Sequence, residues 1–495
     1  MKPIIKISLF ASVVMTAFIF TGCEKFLDKD PQGSLTQESF PVSASDAQLA
    51  TNAVYAPLRL NSYHSGIYPL MDIMSDDARK GSNPDDQAST IGPYDNFTFI
   101  NTGDELSSWW STLYQGIKIT NVVLEKVPAI VMDESLKERY LGEAYFMRAL
   151  YYFDLARAWG GVPLVTDLNP PLKMARATRD EVYGLIVQDL KNAIDRLPEW
   201  TTYPAEETGR ASKGAAKSLL AKVYLFMDDP VNAEIYALEV INSGKYKLET
   251  VFTDACGING EHSQESVFEI GAVGQENVSG NQYGNVQGVR GTPNRGWGFN
   301  RPTPDLRNSF EEDDPRLKGT IIDLGDVLDG ILIEGDGQTP DITTDNDGNV
   351  IETECYNRKV WTPGTDVPSQ FGHNRRILRY ADVLLMAAEA LNENNKPSEA
   401  LIYLNLVRKR AREGNEAILP DITTLNKTEL TNIIREERRH ELALEGHRFF
   451  DLVRWEIADD VLSPLGFQAG KHELFPIPQN EIDLSQGVLE QNPGW

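Results

Sequence analysis

Apolar residues recur at helical spacing over most of this chain. In "TRDEVYGLIVQDLKNAIDRLP", Val182, Leu185, Ile186, Leu190, Ala193, Ile194 and Leu197 line one face, and Pro198 stops the run. Thr178 and Glu181 before them form a capping box that satisfies free N–H groups. A second box, Ser45 with Gln48, is predicted to open "SDAQLATNAVYAPL". Further helices are predicted near 106–127, 135–159, 212–228, 230–243, 379–394, 397–412 and 427–446. Two stretches share a pattern: Ala221, Tyr224 and Ala233 fall at the same steps as Ala388, Leu391 and Ala400, with "DDP" and "NKP" turns in matching places. Small residues let paired helices approach, and the larger one fills the crossing, which is tetratricopeptide-like packing. The pattern predicts a mainly α fold of TPR-like hairpins in a right-handed-superhelix-type scaffold. The periodicity lapses over 255–375, where nearly half of the 38 glycines lie. Short β-prone runs between Gly, Pro, Asn and Asp predict loops and short strands there, where a binding surface would sit on a rigid frame.

The first residues have another pattern. Lys2 and Lys6 precede an uncharged apolar run from Ile7 to Phe20, then Thr21, Gly22 and Cys23. This is a signal-peptide pattern, too short for a comfortable membrane span of about 20 residues. The Cys after two small residues resembles a bacterial lipobox. Residues 1–22 are therefore expected to be a lipoprotein signal, Cys23 a lipid-attachment site and 23–40 a tether.

Composition narrows the partners. The 495 residues carry a formal charge of −26, which argues against nucleic acid and anionic lipid surfaces. Beyond Cys23 there are two cysteines, Cys256 and Cys355, which either pair or remain free thiols.

The candidate chemistry is sparse. "GRASKGAAKS" lacks the lysine a phosphate loop needs after its second glycine. "RHELALEGH" has Leu444 where a zinc helix needs its second histidine, and reads as a helix laced by local charge pairs. "TTDNDGNVIETE" puts Asp345, Asp347 and Glu354 near calcium-ligand spacing, but Thr343 holds the first position, so a β-hairpin is the simpler reading and calcium the lesser one. No cofactor is otherwise indicated. No spacing singles out a carboxylate pair or a nucleophile, so catalysis has no positive support.

Binding has better candidates. Trp297 stands between glycines in "NRGWGFNRP", where a flat ring could stack on a sugar or pack the loop onto the helices. Tyr283, Tyr94 and Arg375 are similar but weaker; Trp109 and Trp110 lie in a predicted helix, so at least one is expected in the core.

Together, "CEKFLDKDPQG", "WSTLYQGIKITNVVLE", "GEAYFMRALYYFDLARAWGGVPLV", "GWGFNRPTPDLRNSFEEDDPR", "IIREERRHELALEGHRFFDLVRW" and the closing "LFPIPQNEIDLSQGVLEQNPGW" make the chain resemble the SusD/RagB family of outer-membrane nutrient-binding lipoproteins of Bacteroidetes. The resemblance spans nearly the whole mature chain. It implies one unit with a helical TPR-like part (41–254), a ligand-loop region (255–375) and a helical C-terminal part (376–495). It implies a non-enzymatic, surface-exposed lipoprotein that delivers glycan to a SusC-like TonB-dependent transporter. Its binding loops are expected near 76–97, including Asp77, and near 280–301 and 370–376. Peptide capture by the same kind of importer is the alternative, followed by a structural assembly partner without its own ligand and a lipid-anchored hydrolase.

Overall fold

The computed structural model describes residues 40–273, 282–344, 346–362 and 372–495. Cys23, the signal and nearly all of the tether lie outside these residues. The fold is mainly α, as the periodicity predicts. Its long helices are α1 (Ala44–Ala53), α2 (Asp104–Lys126), α3 (Glu134–Trp159), α4 (Arg179–Arg196), α5 (Lys213–Phe226), α6 (Pro230–Asn242), α7 (Tyr380–Glu393), α8 (Pro397–Ala411) and α9 (Lys427–Leu442), followed by the shorter α10 (Arg448–Arg454). From α2 to α8 each helix packs on the next, and α9 closes on α7 and α8. No helix among the described residues is long and apolar enough to cross a membrane.

The two TPR-like hairpins turn identically. Asp228 and Asn395 both take left-handed backbone, at φ 55° and 60°. The next residue then donates back across the turn, Asp229 N to Tyr224 O and Lys396 N to Leu391 O, both 2.9 Å. Pro230 and Pro397 start the second helices, where a missing N–H costs nothing. All six patterned residues are buried. Although far apart in sequence, the hairpins meet where α6 packs on α7.

Two helix boundaries differ from expectation. The cap of α1 is Ser43 with Asp46, not Ser45 with Gln48, because the Asp46 carboxylate accepts from the N–H groups of Val42 and Ser43. Helix α9 ends at Leu442 rather than 446, since Leu444 and Gly446 take left-handed backbone at φ 62° and 81°. The Gly446 N–H then donates to Asp72 at 2.8 Å. The charges around α9 are also not a local lacing. Arg379 reaches Glu265, Glu441 and Glu445 at 2.7, 3.1 and 2.7 Å, while Arg410 joins Glu265 and Glu441, and Arg316 joins Asp314 and Glu437. All these side chains are buried.

The strands form five antiparallel pairs: β1 (Ala78–Gly81) with β3 (Phe299–Pro302), β2 (Ser266–Ile270) with β10 (Arg375–Arg379), β4 (Ile321–Asp323) with β9 (Cys355–Asn357), β5 (Val327–Leu328) with β6 (Ile331–Leu332), and β7 (Ile342–Thr344) with β8 (Val350–Thr353). The last pair is the hairpin proposed for the "DNDG" stretch. Asp345 lies outside the described residues, and Glu354 accepts a hydrogen bond from the Tyr356 hydroxyl. Cys256 and Cys355 are free and buried, and burial pushes the Cys256 thiol up to about 11.

The segment after α10 returns to the first long helices. Phe475 N donates to Ala158 O (2.7 Å), and the Trp159 indole donates to Pro476 O (2.9 Å). Asn492 Nδ2 donates to Trp159 O and Phe475 O at 3.1 and 2.7 Å. Trp109, Trp110 and Trp159 cluster beneath this latch, with Phe475 against Trp109 and Trp159.

Candidate functional site

Among its described residues, the irregular part presents one large aromatic to solvent from a tightly held loop. Trp297 N donates to Asn285 O (2.8 Å) and Gly298 N to Gly288 O (3.0 Å), tying the loop to the short helix Tyr283–Gln287. Both flanking glycines are required. A Cβ on Gly296 would meet Asn285 O at 2.2 Å, and Gly298 has φ +73°. Gly298 O accepts from Ser82 N at 2.6 Å, continuing the β1–β3 register in which Gly81 opposes Phe299. With its backbone fixed on both sides, the Trp297 ring remains 44 % exposed. Below it, Asn300 is fully buried and donates to Asp72 (3.0 Å) and Gln287 (2.8 Å). These bonds anchor the ribbon to the scaffold.

Polar groups surround the ring's support. Arg290 passes beside Gly298, its Cβ 3.2 Å from where a Cβ on that glycine would stand. Its guanidinium donates to Ser82 Oγ (2.7 Å) and to the Asp86 carboxylate, and pairs with Asp336 (2.7 Å). Lys80 Nζ donates to the carbonyls of Gly81, Asn83 and Asp86 at 2.8, 3.0 and 2.8 Å, stapling the 82–86 loop. Burial pulls the Lys80 ammonium below its ordinary range. Asp95 accepts from Lys80 N, and burial pushes its carboxyl up to about 7. Asn83, Asp86 and Arg290 are partly exposed.

The other candidate residues are placed differently. Tyr94 is buried in the short helix Gly92–Asp95, stacked on Phe99 at 5.0 Å. Its hydroxyl donates to Glu105. Asp77 is buried against Arg439 at 2.7 Å, and burial outweighs that cation to raise its carboxyl. Arg375 is buried, donating to Tyr63 O at 2.5 Å. In this structure these three pack the interior, so none presents a surface to a ligand. Tyr283 is partly buried between His64 and His373, with ring centroids 5.6 and 5.8 Å away and Arg375 over its ring at 5.9 Å. The structure thus joins Tyr283 to Arg375, while the Trp297 N–H is bonded to the same short helix at Asn285 O. Trp109 and Trp110 are both core. Arg290, Lys80 and Asp86 fall within the expected loop regions 76–97 and 280–301, but sequence reading did not single them out. Their place depends on β1 meeting β3, and nothing local signals that pairing. No group of three or more His, Cys, Asp or Glu is arranged for a metal among the described residues.

A helical-repeat scaffold carrying a loop-borne aromatic surface is the class these features define. Comparison with known proteins makes it specific. The profile of the SusD family matches residues 264–466, and a second, described as "Starch-binding associating with outer membrane", matches 25–225. A SusD-like protein of Formosa agariphila is 30% identical over 515 residues, covering 97% of this chain and 98% of that one. One of Bacteroides ovatus is 27% identical, covering 90% and 81%. Among solved structures, a laminarin-binding SusD-like protein has 30% identity and a TM-score of 0.78, covering 92% of this chain and all of its own. Surface glycan-binding protein A of Bacteroides thetaiotaomicron, solved with laminarihexaose, has 25% identity and a TM-score of 0.77, covering 91% and 100%. The chain belongs to the SusD family.

Proposed function

We propose that this protein captures carbohydrate at the outer membrane and delivers it to a SusC-like TonB-dependent transporter. A lipid on Cys23 holds it at the cell surface. It acts by binding, not turnover. The observation that carries this reading is the Trp297 ring, held open by a backbone bonded on both sides. An exposed indole stacks on the apolar face of a sugar. Arg290, Asp86 and Asn83 beside it are suited to hydroxyl groups. So open a site suits affinities of about −4 to −8 kcal/mol, millimolar to micromolar, strengthened by avidity along a polymer. The laminarin and laminarihexaose named for two structural relatives make laminarin the first polysaccharide to test.

The test is affinity electrophoresis of the full chain in native gels containing single polysaccharides, with Trp297→Ala run alongside. Retardation by one polysaccharide, lost in the variant, is expected. Equal retardation of both proteins would remove Trp297 from the site. No retardation by any polysaccharide would shift the reading to peptide capture.

A further inference from the structure

A second concavity lies on the helical scaffold, built from elements that do not carry Trp297. It is a cleft of about 930 Å³ between the ends of α3 and α10, the α5–α6 turn, α7 and α9. That volume is within the range of ligand sites, about 300–1,000 Å³. Leu225, Ile434, Val453 and Leu474 give it apolar walls, and Met227 is 39 % exposed at its lip.

Its aromatic rings are already covered. Arg179 lies over Tyr183 (5.2 Å), Arg157 over Phe450 (4.3 Å), and both Arg435 and Arg454 over Trp455 (5.0 and 4.9 Å). This leaves little open ring for a sugar. Two of these arginines are neutralised, Arg157 by Asp154 and Arg454 by Glu389 and Asp451. Arg179 and Arg435 have no ion-pair partner among the described residues, but neither do the four lining carboxylates Asp180, Asp228, Glu456 and Asp459, so negative charge remains in excess. Asn392, 1 % exposed, also lines the cleft. Its Nδ2 donates to Lys427 O and Thr431 Oγ1, while its Oδ1 has no hydrogen-bond partner. The cleft therefore offers apolar walls, acceptors and surplus negative charge.

We infer that this cleft docks a basic polypeptide segment of a partner protein, with apolar side chains on the walls and Lys or Arg at the acidic rim. Charge complementarity selects this occupant: an acidic rim repels nucleic acid and anionic lipid, and covered rings disfavour sugar. The proposal does not depend on Trp297 being the sugar site, and Trp297→Ala leaves the cleft intact.

The test is fluorescence anisotropy with the full chain and a labelled peptide, Lys-Leu-Lys-Phe-Lys-Leu, against its counterpart with Glu for each Lys. The cationic peptide is expected to bind saturably and the acidic one not at all. The triple variant Asp228→Asn, Glu456→Gln, Asp459→Asn should weaken binding by about tenfold, a 1.4 kcal/mol change. A control neutralising Glu206, Glu312 and Asp483 elsewhere should weaken it less than about twofold. Met227→Ser should weaken it further through the apolar wall. Equal losses in the two triple variants would reduce the effect to diffuse charge and overturn the proposal, as would absence of binding or displacement of the peptide by laminari-oligosaccharide.

Discussion

Trp159 and Trp297 are the same residue type put to opposite uses. Trp159 ends α3 fully buried, with its N–H bonded and its faces against Trp109, Trp110 and Phe475. Trp297 is tied through its backbone, and its ring remains 44 % exposed. One fills space in the core; the other is left uncovered, as the proposed sugar contact requires. The same division separates the scaffold's charges from those near Trp297. Glu441 sits among Arg379, Arg410 and Arg316 in the interior, whereas Arg290 and Asp86 meet at a partly exposed rim.

This contrast breaks most sharply at the buried charges. Glu441→Gln leaves three buried guanidiniums short of a partner and should cost about 3–5 kcal/mol in urea unfolding. A loss below about 1 kcal/mol would mean the network is solvated. Trp159→Ala should cost about 3–5 kcal/mol through cavity formation. Acidification comes next. Burial pushes His64, His373 and His447 down to about 3, against roughly 6.5 when unfolded. Because the folded values are depressed, the stability linked to these groups is complete above pH 6.5 and lost as pH falls toward 3. At pH 5 each costs about 2 kcal/mol, read as a falling Tm between pH 7 and 5. A flat profile would show that these rings protonate without opening the fold. The smallest effect belongs to Trp297→Ala, which should change stability by less than about 0.5 kcal/mol while abolishing glycan retardation.

Much of the scaffold was legible in the sequence because its signals are local. The Thr178–Glu181 box formed as read. The "DDP" and "NKP" turns share one hydrogen bond because each is set within six residues. The expected start of α1 missed for an equally local reason, since Asp46 outcompetes Gln48 as the reciprocal cap, whereas α9 ends early where Gly446 serves Asp72, 374 residues away. The candidate site was less legible. Asp77 reads as an exposed loop acid, yet its partner Arg439 lies 362 residues away. Tyr94 and Arg375 sit in polar stretches that fold inward. For Trp297 the sequence left both exposure and packing onto the helices open; Gly296 and Gly298 add no side chains to cover it, and its ring is 44 % exposed.

The Trp159–Pro476 bond also constrains when the fold can form. It joins positions 317 residues apart. Closing so long a loop costs about 5 kcal/mol of chain entropy before any contact repays it. Non-local closure of this kind slows folding. The Trp109–Trp159 core therefore remains unlatched until residues 475–492 have emerged. Residues 475–492 thus close a core laid down by the first long helices.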